Sequence, residues 1–197
     1  MQRANVRLRD ALSSSEQKTQ LAALAQQLFP GGWSTTGAPY EARGHGSLII
    51  QGWRDGWITP QAFSAKGAHR LCDCRSIHVE IEIPKALAPN ISGRLHLHFE
   101  SNPYLSVREL QKMASAPDLA EFNFRKEQFR EAFAAHAESL LRSGWQMKHN
   151  ERTVIQIATL SLPLSTISTV AETARFLTPH LAALGSAVDA AIRDCRW

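Results

Sequence analysis

Two stretches of this chain carry chemistry at β spacing. In residues 76–83, Ile77, Val79, Ile81 and Ile83 alternate with Ser76, His78, Glu80 and Glu82. In residues 94–100, Leu95, Leu97 and Phe99 alternate with Arg94, His96, His98 and Glu100. Period two is the signature of strands in an antiparallel sheet with one greasy face. Paired as antiparallel neighbours, the strands can set His78 opposite His98, Glu80 opposite His96 and Glu82 opposite Arg94. Directly opposed side chains have Cβ atoms about 4.5–5.5 Å apart, close enough to ligate one ion or share a proton. Imidazoles and carboxylates suit zinc or iron. The candidate metal ligands are therefore His78, His96 and His98, with a divalent metal as the cofactor. Glu80, Glu82 and Glu100 are the candidate catalytic carboxylates, since an ion can lower the pKa of a bound water beside a general base.

The same alternation has a plainer meaning. One face of an antiparallel sheet usually meets water, and opposed acids and bases there avoid repulsion while contributing about 0–1 kcal/mol per pair. On that reading the polar face is a solvated surface. Only if it is enclosed must the ionisable groups find partners, and then a site follows.

A second group is His69-Arg70-Leu71-Cys72-Asp73-Cys74 followed by His78. Its Cys-x-Cys spacing fits a zinc tetrahedron poorly, and Cys195 stands alone. Residues 30–56 hold seven of the eleven glycines and, with Trp57 just beyond, three of the five tryptophans. Trp33, Trp53 and Trp57 could line a binding mouth, with Arg94 as a further contact, or pin down a long connection. The glycines match neither a phosphate-binding loop nor a dinucleotide fingerprint, and no Gly-x-Ser-x-Gly elbow occurs. The order helix, strands, helices, strands, helix is similar at the level of topology to PD-(D/E)xK nucleases. That likeness would make Glu82 the first acid and Glu100-Ser101-Asn102 the second element, although Asn102 stands where lysine is expected.

The elements that must position these residues read as one α+β domain over residues 1–197. It has a mainly antiparallel sheet of about five to six strands packed with N-terminal, central and C-terminal helices. Leu21, Leu24, Ala25 and Leu28 place a helix over 14–29, ended by Pro30-Gly31-Gly32. Asp55-Gly56, between Leu48–Arg54 and Trp57-Ile58-Thr59, predicts a tight hairpin. A short helix is expected near 107–115 and a longer one from Pro117 to about 142, with Phe122, Phe129, Phe133, Ala137, Leu140 and Leu141 on its apolar stripe. Gly144 is a natural stop. Residues 145–148 and 153–162 read as a further hairpin. A last helix carries Val170, Ala174 and Leu177, then Leu181, Leu184, Val188 and Ile192, with a break or kink expected at Thr178-Pro179.

Composition sets the outer bounds. The chain is 44% hydrophobic and 20% charged, with a net charge of +4. The basic excess is spread thinly, which gives no support to a nucleic-acid partner, because such partners demand clustered Lys and Arg. No apolar run is long enough to span a bilayer. Three cysteines are too few, and of the wrong parity, for a disulfide framework, so a reducing, cytoplasmic setting is expected. The basic N-terminus reads as an ordinary first helix. Together these features suggest a non-catalytic binding or accessory module acting through protein or small-molecule contacts. The alternative is a metal-dependent hydrolase or nuclease built on the central strand pair.

Overall fold

The computed structural model describes residues 25–35, 40–41, 47–57, 76–84, 92–100, 116–148, 156–164 and 169–195. Its strands are β1 (Trp33–Thr35), β2 (Tyr40–Glu41), β3 (Ser47–Arg54), β4 (Ser76–Pro84), β5 (Gly93–Glu100), β6 (Gln146–Met147) and β7 (Gln156–Leu162). Its helices are α1 (Ala116–His136), α2 (Glu138–Arg142) and α3 (Val170–Cys195), and residues 25–28 are also helical. The fold is α+β. All strands join one antiparallel sheet in the order β1-β3-β4-β5-β7-β6, with β2 sharing the β1 edge of β3.

The registers line up side chains in rows across four strands. Ile50 faces Ile81, Ile81 faces Leu95, and Leu95 faces Leu160. That row is buried and belongs to the apolar face, with Ile77, Val79, Leu97 and Phe99. The described helix contacts go to this face. Phe99 stacks on Phe129 of α1, and the backbone of Gly185 in α3 lies against Arg54 of β3. Gly52 belongs here too. A Cβ at that position would clash with the Phe29 ring, so the missing side chain is the space that Phe29 fills.

Several sequence expectations need restating. At Asp55-Gly56 the turn forms, with Gly56 at φ 85° and Trp57 N–H donating to the Arg54 carbonyl. Its expected second strand, Ile58-Thr59, lies outside the described residues, as do the 107–115 helix and residues 14–24 of the first helix. Both edges of β3 are already taken, by β1 and β2 on one side and β4 on the other. The long central helix is two helices that part at Ala137, and Leu141 of its expected apolar stripe is exposed. Gly144 does end it, at φ 96°. No break occurs at Thr178-Pro179: α3 runs unbroken through Pro179. The proline lies exposed, while Leu177 and Leu181 on either side are fully buried, so packing offsets the lost backbone bond. Among the described residues no helix is long and apolar enough to cross a membrane.

The start of α3 is fixed by a capping box. Glu172 N–H donates to Thr169 Oγ1 at 3.2 Å, and Thr169 N–H donates to Glu172 Oε2 at 3.0 Å. Thr169→Ala should therefore destabilise the protein by about 1 kcal/mol. A melting temperature lower by about 2–4 °C checks it, with no effect on ligands bound in the sheet.

Candidate metal centre

The face opposite the helices carries the chemistry. Its rows interleave with the apolar ones: Gln51 faces Glu80, Glu80 faces His96, and His96 faces Thr159. In the next row His78 faces His98, and in the row on the other side Glu82 faces Arg94. The β4–β5 register is the one in which His78 was set opposite His98. The expected solvation of this face is not found. His78, Glu80, His96 and His98 are 0, 7, 2 and 6% exposed, and Gln51 is also buried. Both faces of the central strands are shielded from water, and enclosure turns a polar surface into a set of groups that must satisfy one another.

The side chains divide into two clusters. In the first, Glu80 is the hub. Gln51 Nε2 donates to Glu80 Oε1 at 2.9 Å, and His78 Nε2 lies 3.3 Å from the same oxygen. His98 Nδ1 is 3.7 Å from Glu80 Oε2. One ligand atom from each of His78, Glu80 and His98 falls within 4.8 Å of the others. In the second cluster, His96 Nε2 lies 3.0 Å from Glu82 Oε2, and Thr159 Oγ1 lies 3.1 Å from His96 Nδ1. A carboxylate can only accept, so Nε2–H donates to Glu82, while the threonine hydroxyl pairs with Nδ1. His96 is thereby used on both sides.

His98 differs from its neighbours. Its ring is T-shaped to His78 at 5.2 Å and tilted to His96 at 5.6 Å, yet neither ring nitrogen has a hydrogen-bond partner. Burial pushes its pKa down to about 3, opposed by the charge of Glu80, so the ring is neutral at ordinary pH with a lone pair to give. Burial acts to raise the Glu80 carboxyl, but the charge of His98 and the hydrogen bonds from His78 and Gln51 outweigh it and hold Glu80 well below the usual carboxylate range. The hydrogen bonds from His78 and Gln51 favour the ionised carboxylate whatever the charge of His98. A neutral imidazole beside an anionic carboxylate is the protonation state that metal coordination needs.

Of the residues singled out in the sequence, the structure brings together His78, Glu80 and His98. It turns His96 toward Glu82 and Thr159 instead. Glu82 and Glu100 lie at opposite ends of the β4–β5 ladder, opposite Arg94 and Ser76. Six steps of strand, about 20 Å, separate those rungs. Cys72, Cys74 and His69 lie outside the described residues. Arg94 is exposed at the sheet margin. Trp33, Trp53 and Trp57 are buried in the core. Trp33 packs between Phe29 and Trp57, and Trp57 Nε1 donates to Asp189 Oδ1 of α3, which also pairs with Arg54. Large apolar rings are drawn to burial, and here the indole N–H finds its acceptor inside.

Sequence reasoning missed Gln51 and Thr159. The signal for each was a lone polar residue inside an apolar run, Leu48-Ile49-Ile50-Gln51 and Ile157-Ala158-Thr159-Leu160. Compared with known proteins, the chain matches no family model, no curated protein and no solved structure, so its chemistry is read from these residues themselves.

Proposed function

We propose that this protein is a non-catalytic binding module whose ligand is a divalent metal ion, held inside the sheet by His78, Glu80 and His98. The observation that supports it most is His98. A buried polar group left unpaired costs about 1–3 kcal/mol, and an ion bound to its lone pair would recover that loss. Two imidazoles and one carboxylate favour zinc or a neighbouring first-row ion over magnesium and calcium, which take oxygen ligands. The enclosure of all three side chains favours holding an ion over turning over a substrate.

The test is metal content after purification without chelator, then titration of the stripped protein with zinc. One ion per chain is expected. At a hundredfold excess over the dissociation constant it should stabilise the fold by about 2.7 kcal/mol. Substoichiometric uptake with an unchanged melting temperature would end the proposal.

Metal-dependent hydrolysis is the second reading. It is favoured by the His96–Glu82 pair next to the ligands, where the Glu82 side chain remains 23% exposed and could serve as a base. Metal-dependent cleavage of a phosphodiester or ester that is lost in Glu82→Gln would support it.

A further inference from the structure

We infer that Gln51 is the fourth ligand of the ion, binding through its amide oxygen after the amide turns over, so that the coordination sphere is closed by protein alone. The inference rests on the metal-binding reading above and decides what kind of site it is.

Three terminal atoms carry it. Gln51 Nε2 lies 2.9 Å from Glu80 Oε1 and 3.3 Å from His78 Nε2, and the last two are 3.3 Å apart. Around a tetrahedral ion with bonds of about 2.0–2.1 Å, neighbouring ligand atoms lie about 3.3–3.4 Å from each other. The three atoms therefore already outline one triangular face of such a tetrahedron. His98 approaches the other oxygen of that carboxylate from the adjoining strand, with Nδ1 at 3.7 Å from Glu80 Oε2, and its ligand atom lies within 4.8 Å of those of His78 and Glu80, so a small inward movement would bring it to the remaining vertex.

In the metal-free triangle Glu80 Oε1 accepts from both Gln51 Nε2 and His78 Nε2–H. An ion would take the place of those protons, with the lone pairs of His78 and Glu80 turned toward it. Amide oxygen and nitrogen are nearly the same size, so a half-turn of the Gln51 terminus delivers a carbonyl oxygen to the vertex without moving the backbone. Gln51 is buried and sits directly opposite Glu80 in the β3–β4 ladder, so its reach is set by the sheet.

Four protein ligands mark a structural centre, whereas three and a water mark a catalytic one. Gln51 would thus exclude the water that hydrolysis requires.

The test uses the full chain loaded with cobalt(II) as a spectroscopic probe and zinc for affinity, with azide as a small competing ligand. Wild-type protein should give the intense visible bands of four-coordinate cobalt, unmoved by azide. Gln51→Leu, similar in size but unable to ligate, should bind zinc at least about tenfold more weakly and give a cobalt spectrum that azide shifts. Gln51→Glu, which offers oxygen without any turn, should bind at least as tightly as wild type and guards against a Leu variant that fails to fold. Azide-responsive bands in the wild type, weaker binding by Gln51→Glu, or an unchanged cobalt spectrum in Gln51→Leu would each overturn the assignment. Wild-type protein that takes up neither ion would instead overturn the metal-binding reading beneath it.

Discussion

His98→Ala should weaken metal binding at least about a hundredfold while leaving the metal-free fold close to its original stability, and His96→Ala should spare the metal and cost stability. The two histidines stand two residues apart on one strand face, and both are buried. Their surroundings set them apart. His98 makes no hydrogen bond, so truncating it removes an unsatisfied polar ring, and that gain offsets part of the cavity left behind. Zinc affinity, however, loses a ligand, and a fall of at least about a hundredfold, or about 2.7 kcal/mol, is expected. His96 holds Glu82 on one side and Thr159 on the other. Cutting it removes the contacts to Glu82 and Thr159, at a cost of about 1–3 kcal/mol, but leaves the triad whole. Isothermal titration with zinc, paired with thermal melts of the stripped proteins, separates the two profiles. If both variants lose the ion equally, the assignment of His98 over His96 is wrong.

Phe129→Ala should be among the most damaging single truncations for stability. Phe129 lies between Phe99 of β5 and Phe133 one turn on, with ring centroids 5.4 and 6.2 Å away, and all three are fully buried. It joins α1 to the back of the strand that carries His96 and His98. Loss of a buried phenylalanine costs about 3–5 kcal/mol, through transfer of the ring and through the void it leaves. For a chain of this length each kcal/mol lowers the melting temperature by about 2–4 °C. A drop beyond about 6 °C is expected, against little change for Phe124→Ala, since Phe124 is largely exposed on the same helix. Equal effects of the two would place the core elsewhere. Because the ring acts on the opposite face, zinc stoichiometry should survive in whatever fraction remains folded.

The centre of the sheet was legible because strict alternation on β4 and β5 leaves one face for burial, although a slip of two residues would have kept that face and changed every pair. The ligand set was only partly legible. His96 is opposite Glu80 in the ladder, which made it look like a partner, but its ring leans one row toward Glu82 and β7. The partnership of β5 with β7 joins residues more than fifty apart, and no local pattern announces it. Gln51 was hidden for the same reason, since the long segment between β3 and β4 conceals that they are neighbours. Enclosure of the polar face was illegible too. Alternation reports which residues share a face, and it is silent about what lies over it. Pro179 inside α3 marks the opposite case, a local rule overruled by the buried leucines around it.

The strands at the rims, β1, β2 and β6, are three, two and two residues long, while the four inner strands have seven to nine. The rim strands occupy parts of the outer edges of β3 and β7, at residues 48–49, 52–54 and 158–159, where a second molecule could otherwise zip onto unpaired amides. At those rungs the sheet meets its own short ribbons before it can meet a copy of itself.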